Sequence, residues 1–522
     1  MTPPPLPSAE ICMRALNARD ARFDGIFFVG ITSTKVYCRP TCPARVSYPE
    51  HRRFFESAAS AERGGFRPCL RCRPELAPGR APMDAVPRLA RVAADRIGAG
   101  ALNGRGVGDL AGELGVSERH LRRALEREIG VSPIELAQTH RLLLAKRLLT
   151  DTSLPVTRIA FTSGFQSLRR FNSVFRERYR LCPSEVRRTG PARGARYPGA
   201  AAPLTDLIPL TLAYRPPLAW PTLLELLGRD AMPGVEWVLG GRYARTVSLD
   251  GANGAIIAED AAARSSQNGR GLRNHVMVDV TESLLPVLMP LLARLRGLFD
   301  LDAEPTIIDA HLEQGGLGNL VRQRPGIRIP GALDGFEAAL RTLLRGSAKS
   351  EAPTTDVSWE VVSALSQPID IGIPELTRLV PSAATVADAG VSRLAELGVP
   401  RPRAELIVAV AGAVVDGKLK LTPGGNVAAA RRALGQIDGL GGPLANAIVT
   451  RAMHWPDAFP ASDRGLQRAA GVSSAEVLRV RAEAWRPWRA YAALHLALQP
   501  PCACIDPAQA PGTASDWRET HR

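Results

Sequence analysis

The chain has 522 residues, 45% of them hydrophobic, with a formal net charge of +15. That length is too great for one core and predicts three or four domains. No uninterrupted apolar run is long enough to cross a bilayer: the longest candidate, Leu284 to Leu301, is broken by Arg294, Arg296 and Asp300, so a membrane partner is not expected. The opening residues lack a basic segment followed by an apolar core, so a cytoplasmic protein with reduced thiols, associated with the nucleoid when bound to DNA, is expected. The charge is uneven. Residues 1–190 hold 32 Lys and Arg against 18 Asp and Glu, whereas the remainder holds 34 against 33. A polyanion partner, most simply double-stranded DNA, is therefore expected for the first third. Only five of the 66 basic residues are Lys, so phosphate contacts would be made mainly by Arg forks.

Residues 1–80 open with two short apolar runs, Gly25 to Thr32 and Lys35 to Tyr37, that read as strands. The stretch Glu50 to Gly65 has helical spacing. Between and after them lie Cys38-Arg-Pro-Thr-Cys42 and Cys69-Leu-Arg-Cys72. Two tight cysteine knuckles joined by a loop are the pattern of one tetrahedral zinc ion held by Cys38, Cys42, Cys69 and Cys72. Spacing alone is compatible with a structural clip and with a site in which one thiolate is a nucleophile. Cys12, Cys182, Cys502 and Cys504 form no second set. Arg39, Arg45, Arg67 and Arg71, with Arg52, Arg53 and Arg73, crowd the cluster. Four thiolates on one zinc carry net charge near −2, and neighbouring cations would stabilise it and hold a phosphate backbone against it.

Phe23-Asp-Gly, Phe27-Phe-Val-Gly, Val36-Tyr-Cys-Arg-Pro-Thr-Cys-Pro-Ala-Arg45 and Gly65-Phe-Arg-Pro-Cys-Leu-Arg-Cys-Arg-Pro74 closely resemble the N-terminal domain of the Ada adaptive-response regulators. The resemblance implies that Cys38 takes a methyl group irreversibly from a methyl phosphotriester in DNA. Zinc thiolates are nucleophilic at neutral pH without a general base. Methylation would leave a neutral thioether and lower the repulsion from phosphates.

Residues 84–188 read as two helix-turn-helix units, Val107 to Leu121 and Val156 to Phe171. Each has a small Ala on its first helix and a Gly four residues later for the turn. Ser117 is the expected N-cap of the first recognition helix. Ser132-Pro-Ile-Glu135 is a capping box that starts a long spacer helix through Leu149. Arg119, Arg122 and Arg123 fall on the first recognition helix, and Gln166, Arg169, Arg170 and Asn172 on the second, which suggests two helices in adjacent major grooves. Ser117-Glu-Arg-His-Leu-Arg-Arg and Gly164-Phe-Gln-Ser-Leu-Arg-Arg-Phe-Asn resemble the AraC-type DNA-binding domain as it follows the zinc domain in Ada. That likeness implies transcription activation at an operator, with RNA polymerase as a partner.

Residues 189–204, rich in Gly, Pro and Ala, read as a linker. Residues 205–300 show short strands followed by a helix, an α+β domain. Residues 301–498 are helical, and 499–522 read as a disordered tail. No Pro-Cys-His-Arg methyltransferase motif occurs. Leu434-Gly-Gln-Ile-Asp-Gly439-Leu-Gly441-Gly-Pro443 is a Gly-rich turn between helices, able to offer backbone N–H groups near Gly439 and Gly441 to a DNA phosphate. Asp463 stands twenty residues beyond Pro443, before another helix, where an N-cap is the ordinary role.

With Tyr214-Arg-Pro-Pro-Leu-Ala-Trp, Arg324-Pro-Gly-Ile-Arg-Ile-Pro-Gly-Ala-Leu-Asp-Gly-Phe-Glu and Glu483-Ala-Trp-Arg-Pro-Trp-Arg-Ala-Tyr, this region resembles the AlkA type of helix-hairpin-helix DNA glycosylase. The likeness implies base flipping and glycosidic cleavage, with Asp463 in the catalytic position. The sequence has no lysine after Lys420, so no Lys of the hairpin region can form a Schiff base and a monofunctional glycosylase is expected. Three positions depart from the family's pattern. Ser347 falls at the wedge position, and Pro443 and Ala447 replace pocket aromatics. Trp455, Trp485 or Trp488 are the candidate replacement faces for a cationic base. The expected whole is mainly α with α+β parts: a zinc α/β domain, a double helix-turn-helix, an α+β sheet domain and an all-α glycosylase domain. Its expected function is methylation-sensing activation joined to excision of 3-methyladenine-type bases. The alternative is a regulator whose glycosylase half is weak or inactive.

Overall fold

The computed structural model describes residues 6–44, 48–78, 88–188, 207–261, 274–345 and 357–499. Arg45, Ser347, Cys502, Cys504, the predicted linker 189–204 and all but the first residue of the predicted tail 499–522 lie outside them.

The first unit starts with α1 (Ala9–Ala18) and holds a four-stranded sheet of order β3-β1-β2-β4, with β1 (Phe28–Ile31), β2 (Val36–Cys38), β3 (Arg52–Phe55) and β4 (Arg67–Pro68). Glu50 to Gly65 is not the single helix its spacing suggests. Arg52–Phe55 pairs antiparallel with β1, Phe54 opposite Val29, and only Ala58–Arg63 forms a helix, α2. The physical reason is a change of period within the stretch. Phe54 and Phe55 point to opposite faces, as in a strand, and join separate apolar clusters. The Ser57 capping box then starts the helix afresh. Parallel pairing of β2 with β4 brings the Cys38 strand beside the Cys69 knuckle, with Cys69 N–H donating to Tyr37 O at 3.0 Å.

The second unit comprises α3 (Arg88–Gly98), α4 (Val107–Glu113), α5 (Glu118–Ile129), α6 (Pro133–Asp151), α7 (Val156–Thr162), α8 (Leu168–Tyr179) and α9 (Pro183–Arg188). Ser117 caps α5, accepting from His120 N–H at 3.2 Å, and Ser167 caps α8. The two turn glycines, Gly115 and Gly164, have φ of +69° and +86°, the left-handed region that other residues avoid. At Gly164 a Cβ would also overlap the side-chain amide of Asn103.

The third unit is an antiparallel sheet of order β5-β9-β8-β7-β6, formed by β5 (Leu207–Ala213), β6 (Glu236–Leu239), β7 (Arg242–Leu249), β8 (Ala252–Asp260) and β9 (His275–Thr281). α10 (Trp220–Arg229) and α11 (Leu288–Leu298) bury Leu223, Leu227, Leu291 and Leu295 in the sheet's core. The remainder is helical: α12 (Pro305–Leu312), α13 (Gly318–Gln323), α14 (Gly335–Arg345), α15 (Val357–Leu365), α16 (Ala383–Glu396), α17 (Arg401–Val415), α18 (Val427–Gly435), α19 (Gly442–Met453), α20 (Arg464–Ala469), α21 (Ala475–Arg481) and α22 (Arg489–Ala497). These helices bury two separate cores. One is centred on Leu340, Ile407 and Ile448, and the other on Leu312, Leu466 and Trp485. A buried quartet, Glu236–Arg245–Glu337–Arg341, locks β6 and β7 to α14, with Arg245 and Glu337 2.9 Å apart.

The spacer helix α6 is the hub. It is apolar on more than one side, as befits a helix enclosed by neighbours. Leu142, Leu148 and Leu149 belong to the same core as Ile208, Leu210, Val278 and Leu288 of the sheet unit. Arg147, buried on α6, donates to the carbonyl of Thr211 on the sheet-edge strand β5. An edge strand otherwise presents open carbonyls, and here the second unit covers it. Among the described residues no helix is long and apolar enough to cross a membrane.

Candidate functional site

The four cysteines of the two knuckles come together. Their sulfurs all lie within 4.8 Å of one another, and all four residues are buried. Zn–S bonds of about 2.3 Å in a tetrahedron place sulfurs about 3.8 Å apart, so a slight contraction closes the set on one ion. Four sulfurs without a hard ligand are the donor set zinc takes, and Cys38, Cys42, Cys69 and Cys72 form such a four-cysteine zinc site. The Arg39 backbone N–H donates to Cys72 Sγ at 3.3 Å, which helps to fix that sulfur. Cys12 is buried elsewhere, with burial pushing its thiol up to about 11, so it is an inert core residue.

The arginines around the cluster divide by role. Arg39 does not reach outward. Its Nε donates to Asp24 Oδ1 at 2.8 Å and its Nη1 to the Cys72 carbonyl, with side-chain exposures of 12% and 6% for Arg39 and Asp24. It braces one knuckle against the other. Arg73, next to Cys72, is turned away to Asp151 and Thr150 of α6. Arg53 lies over the Phe55 ring at 5.2 Å. Arg71 is exposed and Arg67 half-buried, and among the described residues no ion pair engages either. The Asp24–Arg39–Thr41 face looks across a cavity of about 170 Å³ to Tyr214, Asn274 and His275 of the sheet unit.

On the recognition helices, Arg119, Arg123, Arg169 and Arg170 are exposed and Asn172 is half-buried; Gln166, expected on the second helix, is exposed in the turn before it, because Ser167 caps α8 and the helix starts only at Leu168. Arg122 is tied to Glu118 one turn earlier, at 2.5 Å. Leu121 and Leu125 of α5, and Phe171, Val174 and Phe175 of α8, face inward. That burial leaves the polar side of each helix to solvent, the disposition a groove-reading helix needs.

In the last unit, α18, a turn and α19 form the hairpin. Gly439, at φ +79°, and Gly441, the N-cap residue of α19, are both exposed. The Asn446 side chain on α19 donates to the Phe459 carbonyl at 3.4 Å, which braces the loop that leads to Asp463. Asp463 caps α20: its Oδ1 accepts the Leu466 N–H at 2.9 Å. The residue is exposed, and among the described residues no side chain pairs with Oδ2. Capping therefore consumes one oxygen and leaves the other facing outward, so the ordinary role and a chemical one are compatible here.

The three tryptophans differ. Trp485 is fully buried, with its indole N–H on the Gly315 carbonyl at 2.9 Å and its ring edge-on to Phe459. It is core and no pocket wall. Trp488 is half-buried against His311, with ring centroids 4.9 Å apart, and Trp455 lies under Arg431 at 5.4 Å. Pro443 is exposed at the start of α19 and Ala447 half-buried one turn on. The Asp24, Glu62, Glu75 and Lys146 partners of the zinc unit escaped the sequence reading. Each lies far along the chain from its partner, and no local spacing signals such pairs.

Comparisons with known proteins agree with this layout. A family model described as the metal binding domain of Ada matches residues 11–75, a helix-turn-helix domain model matches 110–189, and a model described as the AlkA N-terminal domain matches 209–334. A Mycobacterium tuberculosis protein described as a "probable bifunctional transcriptional activator/DNA repair enzyme AlkA" is 36% identical over 496 residues, 93% of this chain and 95% of that protein. The DNA-3-methyladenine glycosylase 2 of Escherichia coli is 32% identical over 287 residues, 55% of this chain and 95% of its own length. The bifunctional transcriptional activator/DNA repair enzyme Ada of Escherichia coli is 32% identical over 132 residues, 25% of this chain and 35% of its own length.

Proposed function

Because the chain belongs to the family of bifunctional transcriptional activator/DNA repair enzymes of the AlkA type, we propose that it senses DNA alkylation at Cys38, activates transcription through α5 and α8, and excises alkylated bases at Asp463. The modules doing so are residues 1–80, 84–188, 205–300 and 301–498. The observation that carries the sensing step is the enclosed four-sulfur cluster docked on the helices that bear the DNA reader. When bound, zinc holds the sulfurs as thiolates at neutral pH. Cys38 Sγ attacks the methyl carbon of a methyl phosphotriester. The C–O bond breaks, its electron pair stays on the phosphate oxygen, and a phosphodiester anion leaves. No proton moves, so no general base is required, and S-methylcysteine is not reversed by hydrolysis. Cys42, Cys69 and Cys72 stay as the permanent ligands.

Losing one negative charge near the phosphates raises DNA affinity. Arg67 and Arg71 contact the backbone, and Arg45 extends that set in the sequence. Arg119, Arg122, Arg123, Gln166, Arg169, Arg170 and Asn172 present the reading surfaces. RNA polymerase is the partner of the bound activator, and the cytoplasm is the compartment where such thiols and DNA coexist.

The last unit is a DNA glycosylase of the 3-methyladenine type. The hairpin amides around Gly439 and Gly441 hold a phosphate. The free oxygen of Asp463 faces the oxocarbenium-like sugar that forms as the base leaves, and stabilises it by charge. Trp455 and Trp488 are the faces left for a cationic base. Release of 3-methyladenine from alkylated duplex DNA by the full chain, compared with Asp463→Asn, tests this step. The substitution lowers release about 10²–10³-fold. Equal release from both proteins removes Asp463 from the chemistry, and no release from either leaves this half as a DNA-binding unit only.

A further inference from the structure

The zinc unit is not merely next to the DNA reader: it is keyed to one stripe of α6. Thr139, Lys146 and Thr150 are seven and four residues apart, spacings that return to the same helix face. Each meets the zinc unit. Thr139 Oγ1 donates to Glu62 Oε2 at 2.9 Å, and Tyr37 OH donates to Glu62 Oε1 at 3.3 Å. One buried carboxylate thus bridges the residue before Cys38 to the spacer helix. Lys146 Nζ meets Glu75 Oε2 at 2.5 Å, with the two side chains 0% and 1% exposed. Glu75 stands three residues after Cys72, so this pair holds the second knuckle. Arg73 Nη2 donates to Thr150 Oγ1 at 2.9 Å, and Arg73 Nη1 pairs with Asp151 at 2.7 Å.

An apolar seam would dock two units at least as strongly, because burying an ion pair costs desolvation that its attraction barely repays. Buried polar groups do what apolar contacts do not: they admit one register. The same stripe lies on the helix that follows α5 and precedes α7, so it fixes the cluster relative to both recognition helices.

We propose that Glu62, Glu75, Thr139 and Lys146 are positioning residues for the alkylation response, holding the methyl-acceptor cluster at a set place relative to the phosphates that the DNA reader contacts. This rests on the reading of Cys38 as methyl acceptor. A charge change at the cluster alters DNA affinity only to the extent that the cluster is held within a Debye length, about 8–10 Å, of those phosphates. A loosened joint lets the cluster wander and dissipates the gain.

The test uses the full chain, unmethylated and after reaction with DNA carrying methyl phosphotriesters, and reads affinity for random-sequence duplex DNA at about 0.1 M salt. Methylation adds the equivalent of about one counterion released, an affinity gain of about eightfold. The variants are Thr139→Val, its hydroxyl-keeping control Thr139→Ser, and the charge-balanced double variant Glu75→Gln/Lys146→Met. Zinc content and methyl incorporation at Cys38, read by mass spectrometry, stay at the parent level. The gain falls to about threefold or less in Thr139→Val and in the double variant, and is kept in Thr139→Ser. A parent-sized gain in Thr139→Val, with Cys38 methylated, overturns the positioning role even if the double variant fails to fold. A parent that gains no methyl overturns the Cys38 reading itself, a distinct result.

Discussion

At the scale of single residues, the same residue type serves opposite ends around the cluster. Arg39 is committed to Asp24, so Arg39→Met strands a buried carboxylate. That change should cost about 3–5 kcal/mol and show as a lower unfolding midpoint with zinc lost more readily to a chelator. Arg71 is exposed and pairs with no acidic side chain among the described residues, so Arg71→Ala should leave the midpoint unchanged and reduce the salt slope of DNA binding by about one unit. Measuring both quantities on both variants separates brace from phosphate contact. Asp463 poses a similar question. Asn is as good an N-cap as Asp, whereas Ala is not. Asp463→Asn should therefore keep stability and lose excision, and Asp463→Ala should also lose about 1 kcal/mol of stability. The four cysteines were legible because ligand spacing is local and zinc admits few donor sets. The role of Arg39 was not, because Asp24, fifteen residues earlier, is brought to it only by the sheet that folds between them.

Elements were legible where one period ran their whole length. The strands followed by a helix in the sheet unit, the Ser117 cap of the first recognition helix and the capping box of α6 are found as alternation and capping chemistry suggest. The stretch Glu50 to Gly65 was misread because two short elements of different period share it. Half-buried histidines shielded from water by neighbouring helices are an element-scale feature as well. His454 ends α19 in the left-handed region, against Gly297 of α11, and His140 on α6 packs against Gly98 of α3. Burial pushes both down to about 4, with Asp302 opposing the effect at His454. Between pH 6.5 and about 4 the unfolded chain binds protons that these folded-state groups refuse, so their contribution to stability is lost as pH falls. His454→Asn should therefore make the unfolding midpoint less sensitive to acidification from pH 7 to 5. A variant midpoint that falls as steeply as the parent's would show that His454 is not one of the groups responsible.

For the whole molecule, the regulatory and glycosylase halves are separate in sequence yet share a core. Leu142 and Leu148 of the reader pack in one cluster with Leu210 and Leu288, and Arg147 covers the edge of β5. Nothing in residues 189–204 announces this, because inter-unit packing leaves no periodic mark on a sequence. A fragment beginning at residue 205 would expose that apolar face and the β5 edge, and should aggregate or unfold at a lower temperature than the same half within the full chain. The central claim is the chemistry at Cys38, and the mass of the full-length protein after incubation with duplex DNA carrying methyl phosphotriesters tests it most directly. One added methyl, mapped to Cys38, absent from Cys38→Ser and acquired without loss of zinc, is the predicted result. An unchanged mass, or a methyl on Cys42, Cys69 or Cys72, would contradict it.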